Sequence, residues 1–411
     1  MTRTGRRTRR RTPGRYGHRA VHVLLAVCAL LALSAPAAPS RAAGEGAVLG
    51  AGAPGSVSGS YLVTLRAGVR ASPALGAEFA RRYGVGISHL YRSALNGYAI
   101  HADERRARRL AADPRVAAVA QDTRVASAGA QEDPPSWGLD RVDQRALPLD
   151  RDYTWPKDTA AGAGVTVYVI DTGVRVSHRD FGGRASYGWD FVDGDRTADD
   201  RDGHGTHVAG TIAGGRYGVA KRAKVVAVRV LDDHGAGTTA QVIAGIDWVT
   251  RHAHKPAVAN LSLAGHADAR LDAAVRASIA SGVTYVVAAG NGDHSAAPYS
   301  PGRVVQALTV GAVDRADARA RFSNWGPQVD LFAPGVAITS DSAASDTATA
   351  TLSGTSMAAP HAAGAAALYL GAHPEATPAQ VSRALVRRVV TGKVRDAGAG
   401  SPNKLLYVGG S

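Results

Sequence analysis

Three short segments, far apart in the chain, place a reactive side chain beside glycine. The first is Asp171-Thr172-Gly173, which follows the apolar, β-branched run Val165–Ile170. In open α/β sheets, ligands and catalytic groups gather at the carboxyl ends of strands, so Asp171 is a candidate catalytic carboxylate. An Asp that caps the next loop is an equally good explanation. An aspartic-protease dyad needs two carboxylates that share a proton, and the sequence has no second Asp-Thr-Gly.

The second segment, Asp202 to Thr211, carries two histidines at the mouth of a helix of small residues. His204 and His207 could be metal ligands. A zinc hydrolase would also need a glutamate between its histidines and a third ligand, and neither is evident. We therefore interpret His207 as a structural histidine and His204 as a side chain that projects into a cleft.

The third segment, Gly354 to His361, places Ser356 at a transition from loop to helix, and the small-residue run Ala362–Leu370 predicts the helix itself. A backbone N–H at a helix N-terminus is a ready anion site. Taken alone, Ser356 is better explained as a helix cap than as a nucleophile. Its interpretation depends on the other two segments.

In the order Asp, His, Ser, these segments resemble the subtilisin-like serine proteases, and most closely their proteinase K and aqualysin branch. The resemblance extends from about Trp137 to Tyr407. The segments that carry it are Val169–Gly173, His204–Gly210, Tyr217–Ala220, Asn260–Leu263, Ala288–Asn291, Phe322–Asn324 and Gly354–Pro360. The resemblance implies peptide-bond hydrolysis through an acyl-enzyme.

Roles in this mechanism follow from the resemblance at the matching positions. Ser356 would attack the scissile carbonyl, and His204 would take its proton and later give it to the leaving amine. Asp171 would fix the imidazole tautomer and stabilise the imidazolium. Asn291 resembles the amide of the oxyanion hole, which would act with the backbone N–H of Ser356. Asn291 could otherwise be only an Asx-turn residue.

The resemblance also implies where a substrate binds. An extended peptide would lie between two small-residue segments and against Gly290; the segments are Gly235-Ala236-Gly237 and Ser262-Leu263-Ala264. In this mode the protein binds mainly the main chain of the peptide, so we expect broad specificity for its side chains. Ala264 stands where the family usually has Gly, and its methyl narrows the pocket for the residue before the cut. We expect small to medium apolar residues there, with Thr239 leaving a pocket further upstream more open.

Calcium is the cofactor that the resemblance implies, and we expect no organic cofactor. One site would use the Asp330 carboxylate with the carbonyls of Val305 and Ala307. A second would use Asp140, Asp143, Gln144, Asp150 and Asp152, since hard oxygen ligands around a loop suit Ca²⁺. A solvated acidic turn is the alternative for the second cluster.

The elements that must position these residues follow from hydrophobic periodicity. Buried-strand patterns at 165–170, 225–230, 257–263 and 284–289 alternate with helical patterns at 207–213, 239–252 and 269–281. Such alternation predicts an α/β fold with a mostly parallel central sheet and helices on both faces. Residues 130–411 are predicted to form this subtilisin-like peptidase domain.

A smaller module precedes it. Strand and helix patterns between residues 61 and 122 follow a strand-helix-strand-strand-helix-strand order, which favours a ferredoxin-like α+β fold. The module resembles the inhibitor-like propeptide of the same family, within a linker and propeptide region at 44–129. We predict a cut near Ala126–Gln131. Before it, an Arg-rich start and the apolar run Val21–Leu33 predict a signal peptide over 1–43, and hence secretion.

The charge distribution argues against nucleic acid. The net charge is +14, but residues 1–43 hold nine Arg and no acid, and residues 44–129 hold eleven Arg and six acids. Residues 130–411 carry 28 basic and 28 acidic side chains, so the body offers no general footprint for a phosphate backbone. The single cysteine, Cys28, excludes a disulfide framework.

The remaining predictions concern partners. No apolar run approaches the ~20 residues of a stable membrane span. We expect a monomer that acts on protein and peptide substrates, with its own propeptide as folding aid and inhibitor. The alternative is a catalytically inactive scaffold of the same family, used for binding. Such chains usually lose a triad residue or the oxyanion amide, whereas Asp171, His204, Asn291 and Ser356 are all present.

Overall fold

The computed structural model describes residues 45–52, 56–93, 95–123 and 129–409. They belong to two compact units, which divide between residues 125 and 126. The predicted signal peptide and residues 126–128 of the predicted cut segment lie outside the described residues. Among the helices of the described ranges, none is long and apolar enough to cross a membrane.

The first unit is built from one sheet and two helices. In chain order its elements are β1 Val48–Leu49, β2 Ser56–Leu65, α1 Pro73–Tyr83, β3 Gly86–Tyr91, β4 Gly97–His101, α2 Glu104–Ala111 and β5 Val116–Thr123. The described strands pair in the order β1-β5-β2-β4-β3. Pairing is antiparallel except between β1 and β5. The ferredoxin-like prediction is confirmed, and the short edge strand β1 is an addition to it.

Local signals explain why the helices of this unit begin and end as they do. The Ser72 hydroxyl accepts a hydrogen bond from the Leu75 N–H, Pro73 occupies the first turn, and Gly84 ends α1 in the left-handed conformation. Asp103 caps α2 in the same way, through the Arg106 N–H. Both helices bury one apolar face against the sheet.

The second unit contains the remaining elements. They are β6 Ala130–Glu132, α3 Trp137–Val142, β7 Asp152–Thr154, β8 Thr166–Asp171, β9 Ala185–Asp190, α4 His204–Ala213, β10 Lys224–Arg229, α5 Thr239–His252, β11 Ala257–Leu261, β12 Gly265–His266, α6 Ala269–Ala280, β13 Thr284–Ala288, β14 Tyr299–Ser300, β15 Leu308–Val313, β16 Leu331–Pro334, β17 Ile338–Asp341, β18 Thr349–Leu352, α7 Thr355–Ala372, α8 Pro378–Arg388, β19 Val390–Thr391 and β20 Lys404–Leu405. Two short 3₁₀ segments, Lys157–Gly162 and Arg179–Phe181, join them.

Within the described residues, nine of these strands form one central sheet, in the order β19-β20-β16-β15-β13-β11-β8-β10-β9. Pairing is parallel from β9 through to β16. Alternate residues of β8 enter different cores. Val167 and Val169 pack with α4 and α7, whereas Tyr168 and Ile170 pack with α5 and α6. The predicted parallel sheet with helices on both faces is therefore confirmed.

The sheet order decides where candidate site residues meet. Strands β13, β11, β8 and β10 are consecutive neighbours, and each ends at the same edge of the sheet. Asn291, Ser262 and Gly235 follow β13, β11 and β10, and Asp171 is the last residue of β8. The parallel strands therefore bring together, at their carboxyl ends, side chains that lie up to 120 positions apart in the chain, from Asp171 to Asn291.

Candidate active site

Asp171 and His204 form a hydrogen-bonded pair. Asp171 is fully buried at the end of β8, and His204 opens α4. His204 Nδ1 lies 2.7 Å from Asp171 Oδ1, which also accepts the Thr172 N–H at 2.8 Å. A side chain at Gly205 would prevent this approach, because its Cβ would lie 2.1 Å from the Gly173 carbonyl oxygen. The pair leaves His204 Nε2 as the ring nitrogen for a further partner.

The electrostatics of the pair favour a charged imidazole. Burial by itself lowers the pKa of His204, but the Asp171 carboxylate outweighs burial, with help from Asp202 and Asp200, and raises the pKa to about 9. Asp171 therefore stabilises the imidazolium that a general base must become. His207 differs, because burial lowers its pKa to about 4 and its Nε2 lies 2.9 Å from the Ile338 carbonyl oxygen.

Asp200, which is not among the site residues predicted from the sequence, holds the two halves of the pair together. Its Oδ1 accepts the Thr172 hydroxyl at 2.8 Å, and its Oδ2 accepts the Thr206 N–H at 2.8 Å. Thr172 Oγ1 in turn accepts the Gly205 N–H at 2.9 Å. One buried carboxylate thus connects the end of β8 to the first turn of α4. Its only sequence signal is its position four residues before His204.

Ser356 lies in the first turn of α7, partly buried. Its hydroxyl donates to the Ser262 carbonyl oxygen at 3.1 Å, and the Ser262 hydroxyl donates to the Ser356 carbonyl oxygen at 2.8 Å. These two bonds fix α7 against the segment after β11. In this conformation the hydroxyl of Ser356 is directed to Ser262 and not to His204 Nε2.

The amide of Asn291 is oriented by Thr355, a residue to which the sequence predictions give no role. The Thr355 N–H and hydroxyl donate to Asn291 Oδ1 at 2.9 and 2.8 Å. Thr355 Oγ1 also accepts the Gly290 N–H at 3.1 Å. With Oδ1 held in this way, Nδ2 is the end of the amide that remains to donate to a ligand.

The loop that carries Asn291 is clamped by a second amide. Asn324, itself buried, donates through Nδ2 to the Ala289 carbonyl at 2.9 Å, and its Oδ1 accepts the Gly292 N–H at 2.9 Å. Its backbone N–H donates to the Gly290 carbonyl at 2.9 Å. Gly290 has φ +100°, a backbone conformation that residues with a side chain rarely adopt. A Cβ there would also lie 2.5 Å from Asn324 Nδ2, so this position requires glycine.

The segments expected to hold a substrate line one cleft of about 430 Å³ that also contains His204. Its walls include the expected residues of both segments, Gly235, Ala236, Gly237, Ser262, Leu263 and Ala264, together with Thr239. A Cβ built on Gly290 would lie 3.8 Å from the Ala264 methyl, so these two residues face each other. Asp232 shapes one wall, because its Oδ1 accepts the His234 and Ala236 N–H groups.

The residues of the second expected calcium cluster interact in part. Asp140 accepts the Asp150 N–H at 3.2 Å, and Gln144 Oε1 accepts the same N–H at 3.1 Å. Burial raises the pKa of Asp143 to about 7, and the nearby Asp150 and Asp140 carboxylates contribute. Asp143 Oδ1 is buried without a hydrogen-bond partner. The exposed Asp152 contributes its N–H to Asp150.

Asp330, of the other expected calcium site, lies beside the start of β15. Its Oδ2 accepts the Thr309 N–H at 2.8 Å, and burial raises its pKa to about 6. Val305 is 88% exposed and Ala307 is buried. In the described part of the chain, no three acidic, histidine or cysteine side chains are arranged to hold a metal ion. The buried Asp143 Oδ1, which has no hydrogen-bond partner, is suited to bind a cation. Among the described residues, however, three carboxylates placed to bind one ion together are not found.

Comparisons with known proteins match both units. Residues 162–405 match the model of the subtilase family, and residues 60–128 match that of the peptidase inhibitor I9. The chain is 47% identical over 400 residues to an extracellular serine proteinase of Thermus sp. (strain Rt41A), covering 92% of this chain and 97% of the relative. It is 42% identical over 407 residues to a cuticle-degrading serine protease of Arthrobotrys oligospora, covering 94% and 98%.

A solved structure agrees with these relatives. The crystal structure of a cold adapted subtilisin-like serine proteinase is 52% identical, with a TM-score of 0.65, and the match covers 67% of this chain and 98% of that one. Fold and comparisons together define a subtilisin-like serine proteinase with an inhibitor-type propeptide. The chain belongs to the subtilase family.

Proposed function

We propose that this chain is a secreted endopeptidase that hydrolyses peptide bonds through a Ser356 acyl-enzyme, with His204 as general base and Asp171 as its orienting carboxylate. The observation that carries the proposal is the 2.7 Å bond between His204 Nδ1 and the fully buried Asp171. This bond holds the tautomer in which Nε2 can accept the proton of the serine hydroxyl. His204 would return that proton to the leaving amine.

Stabilisation of the oxyanion would come from Asn291 Nδ2 and the backbone N–H of Ser356. Supporting this role, Thr355 occupies the Asn291 carbonyl oxygen and leaves the amide nitrogen to donate. The Ser356 N–H belongs to the first turn of α7, where backbone donors are not used by the helix. A single donor of this kind is typically worth ~10²–10³ in turnover.

The substrate would bind as an extended strand between Gly235-Ala236-Gly237 and Ser262-Leu263-Ala264. The common cleft of these segments with His204 supports this placement. Specificity would be broad, with small to medium apolar residues preferred before the cut, because the Ala264 methyl lines the cleft close to Gly290. The name of the cuticle-degrading relative would make proteins of a cuticle one substrate class.

Calcium would act as a structural ion. When bound, it would neutralise carboxylates whose pKa burial raises, Asp143 and Asp140 in one site and Asp330 in the other. Asp150 would be a further ligand of the first site. The buried, unpartnered Asp143 Oδ1 supports the first site. Gln144 and Asp152 would contribute oxygens there, and the Val305 and Ala307 carbonyls would do so beside Asp330.

Maturation would proceed from a precursor made of a signal peptide (1–43), a propeptide (44–129) and a peptidase domain (130–411). The propeptide would assist folding, be cut near Ala126–Gln131 and block the cleft until degraded. Secretion is supported by the relative described as an extracellular serine proteinase. We propose that the mature enzyme is a monomer.

The experiment is covalent labelling of the secreted protein with a fluorophosphonate, followed by mass spectrometry of its peptides. We expect the label on the peptide that contains Ser356 and no label in the Ser356→Ala variant. A folded wild-type protein that neither takes the label nor cleaves a casein substrate would instead support the inactive-scaffold alternative.

A further inference from the structure

The propeptide unit carries a basic helix surface that the proposed catalytic function does not use. Helix α2 has the sequence Glu-Arg-Arg-Ala-Arg-Arg-Leu-Ala and buries only Ala107 and Leu110, so its arginines point away from the core. Helix α1 buries Gly76 and Phe79 and ends with two exposed arginines. We define the arginine face as the basic residues of these two helices: Arg81, Arg82, Arg105, Arg106, Arg108 and Arg109.

The two helices bring these side chains into one surface. Arg106 Nη1 donates to the Gly84 carbonyl oxygen at 3.3 Å, so α2 touches the C-terminal end of α1, next to Arg82. Three acids accompany the six arginines on these two helices, and one of them, Glu78 on α1, interacts with Arg82 and pairs with Arg115 outside the face. Asp103 pairs with Arg106 at 3.3 Å, and Glu104 pairs with Arg108. Six arginines against three acids leave the face an excess of about three positive charges.

The charge is confined to the part of the chain that maturation would remove. Residues 44–129 hold eleven Arg and six acids, whereas residues 130–411 are balanced at 28 of each sign. A general need for solubility would not concentrate the excess in one unit. The arginine face is thus a property of the precursor alone.

We propose that the arginine face docks the precursor electrostatically on an anionic phospholipid surface, and that loss of the propeptide releases the enzyme. Arginine guanidinium groups bind phosphate oxygens in a bidentate manner. Binding is superficial, since the apolar residues of α2 are already used in the propeptide core. It differs in this from an interfacial helix that inserts its apolar side.

Chain length favours lipid as the partner. Four residues, 44–47, lie between the end of the predicted signal peptide at residue 43 and the start of strand β1 at Val48. Four extended residues span at most about 14 Å. While the signal peptide is still in the membrane, the folded propeptide is therefore held beside the phospholipid headgroups.

The test is vesicle sedimentation of residues 44–411, which contain both folded units, carrying Ser356→Ala and verified as uncut by mass spectrometry. We expect sedimentation with phosphatidylcholine vesicles only when they contain phosphatidylglycerol, and loss of binding when salt is raised from about 0.05 M to about 0.5 M. The face variant is Arg81→Gln, Arg82→Gln, Arg105→Gln and Arg109→Gln. This variant should lower the binding constant of the precursor for the anionic vesicles at least about tenfold.

Matched variants separate the face from net charge. The same four-charge reduction on exposed arginines of the peptidase unit, Arg276→Gln, Arg315→Gln, Arg383→Gln and Arg387→Gln, should leave binding nearly unchanged. Arg→Lys at the four face positions should retain most of the binding to vesicles. This control distinguishes loss of charge in the Gln variant from misfolding. Equal losses in the two Gln variants would overturn the proposal. Binding of the precursor to soluble polyphosphate, without any binding to the anionic vesicles, would also overturn the proposal.

Discussion

At the scale of single side chains, His204 governs the pH dependence of the proposed reaction. Its pKa is raised to about 9, so the neutral imidazole that accepts a proton becomes more abundant as pH rises. We expect kcat/KM to fall on the acidic side with an apparent pKa above the ordinary value of about 6.5.

Asp202→Asn tests the electrostatic part of this pKa. The Asp202 carboxylate raises the pKa of His204, and its Oδ1 accepts the His204 N–H, which an Asn oxygen can still do. Removing the charge should move the acidic limb of kcat/KM to lower pH by about 0.3 unit. Asp247→Asn, an equal charge change on α5, is the control and should not move it. An unchanged limb in Asp202→Asn would contradict the assignment.

Ala264 belongs to the same scale, because one methyl group is expected to set the size of the pocket before the cut. A methyl(ene) in an apolar pocket is worth about 1–3 kcal/mol in kcat/KM. Ala264→Gly should therefore improve Phe and Tyr at that position relative to Ala and Val, measured on a peptide series varied only there. If wild type already prefers Phe and Tyr and the variant keeps the same ranking, the Ala264 methyl does not narrow the pocket for the residue before the cut.

At the scale of elements, Asn324 connects the loop after β13 to the loop after β15. It bonds Ala289, Gly290 and Gly292 around Asn291, so it positions the proposed oxyanion donor without touching the substrate. We expect Asn324→Ser to lower kcat by about tenfold with little change in KM, since ground-state contacts remain. A peptide aldehyde inhibitor should lose affinity in parallel. A change in KM alone, with kcat preserved, would indicate a purely structural role.

The loop between α3 and β7 is the element whose stability we expect to depend on calcium. An ion that binds only the folded state stabilises it by mass action, about 2.7 kcal/mol at a hundredfold excess over Kd. Chelation should therefore lower the Tm of the mature enzyme by about 5 °C or more. Asp143→Asn should remove part of the difference between calcium and chelator, whereas Asp247→Asn should not. Equal Tm values with and without chelator in wild type would argue against both expected sites.

At the scale of the whole molecule, we propose that the precursor, which contains two compact units, processes itself. Ser356→Ala removes the proposed nucleophile, so the propeptide should stay covalently attached in a host without other proteases. Wild type and a control, Ser186→Ala on the edge strand β9, should both yield the shorter mature form. Intact mass measurement distinguishes the forms and locates the cut. Normal processing of Ser356→Ala would refute self-cleavage.

Much of the architecture follows from local patterns. The span predicted for α5, Thr239–His252, agrees with the structure because capping signals mark its start. Thr238 and Gln241, for example, form a reciprocal capping box. Helix α7 is longer than the predicted run at 362–370, since it begins at Thr355. Its first turn is set by contacts with Asn291 and Ser262, which no local pattern records.

The sequence by itself determined the types and chain order of the reactive residues, the α/β class, the propeptide module and the neutral charge of the body. Only the tertiary structure decided their partners. Asp171 meets His204, Thr355 meets Asn291, and Asn324 meets Gly290 across 33, 64 and 34 positions respectively. Periodicity encodes which face of an element is buried, but not which strand lies beside it. The order of strands β13, β11, β8 and β10 is a property of the packed sheet, and that order brings the site together.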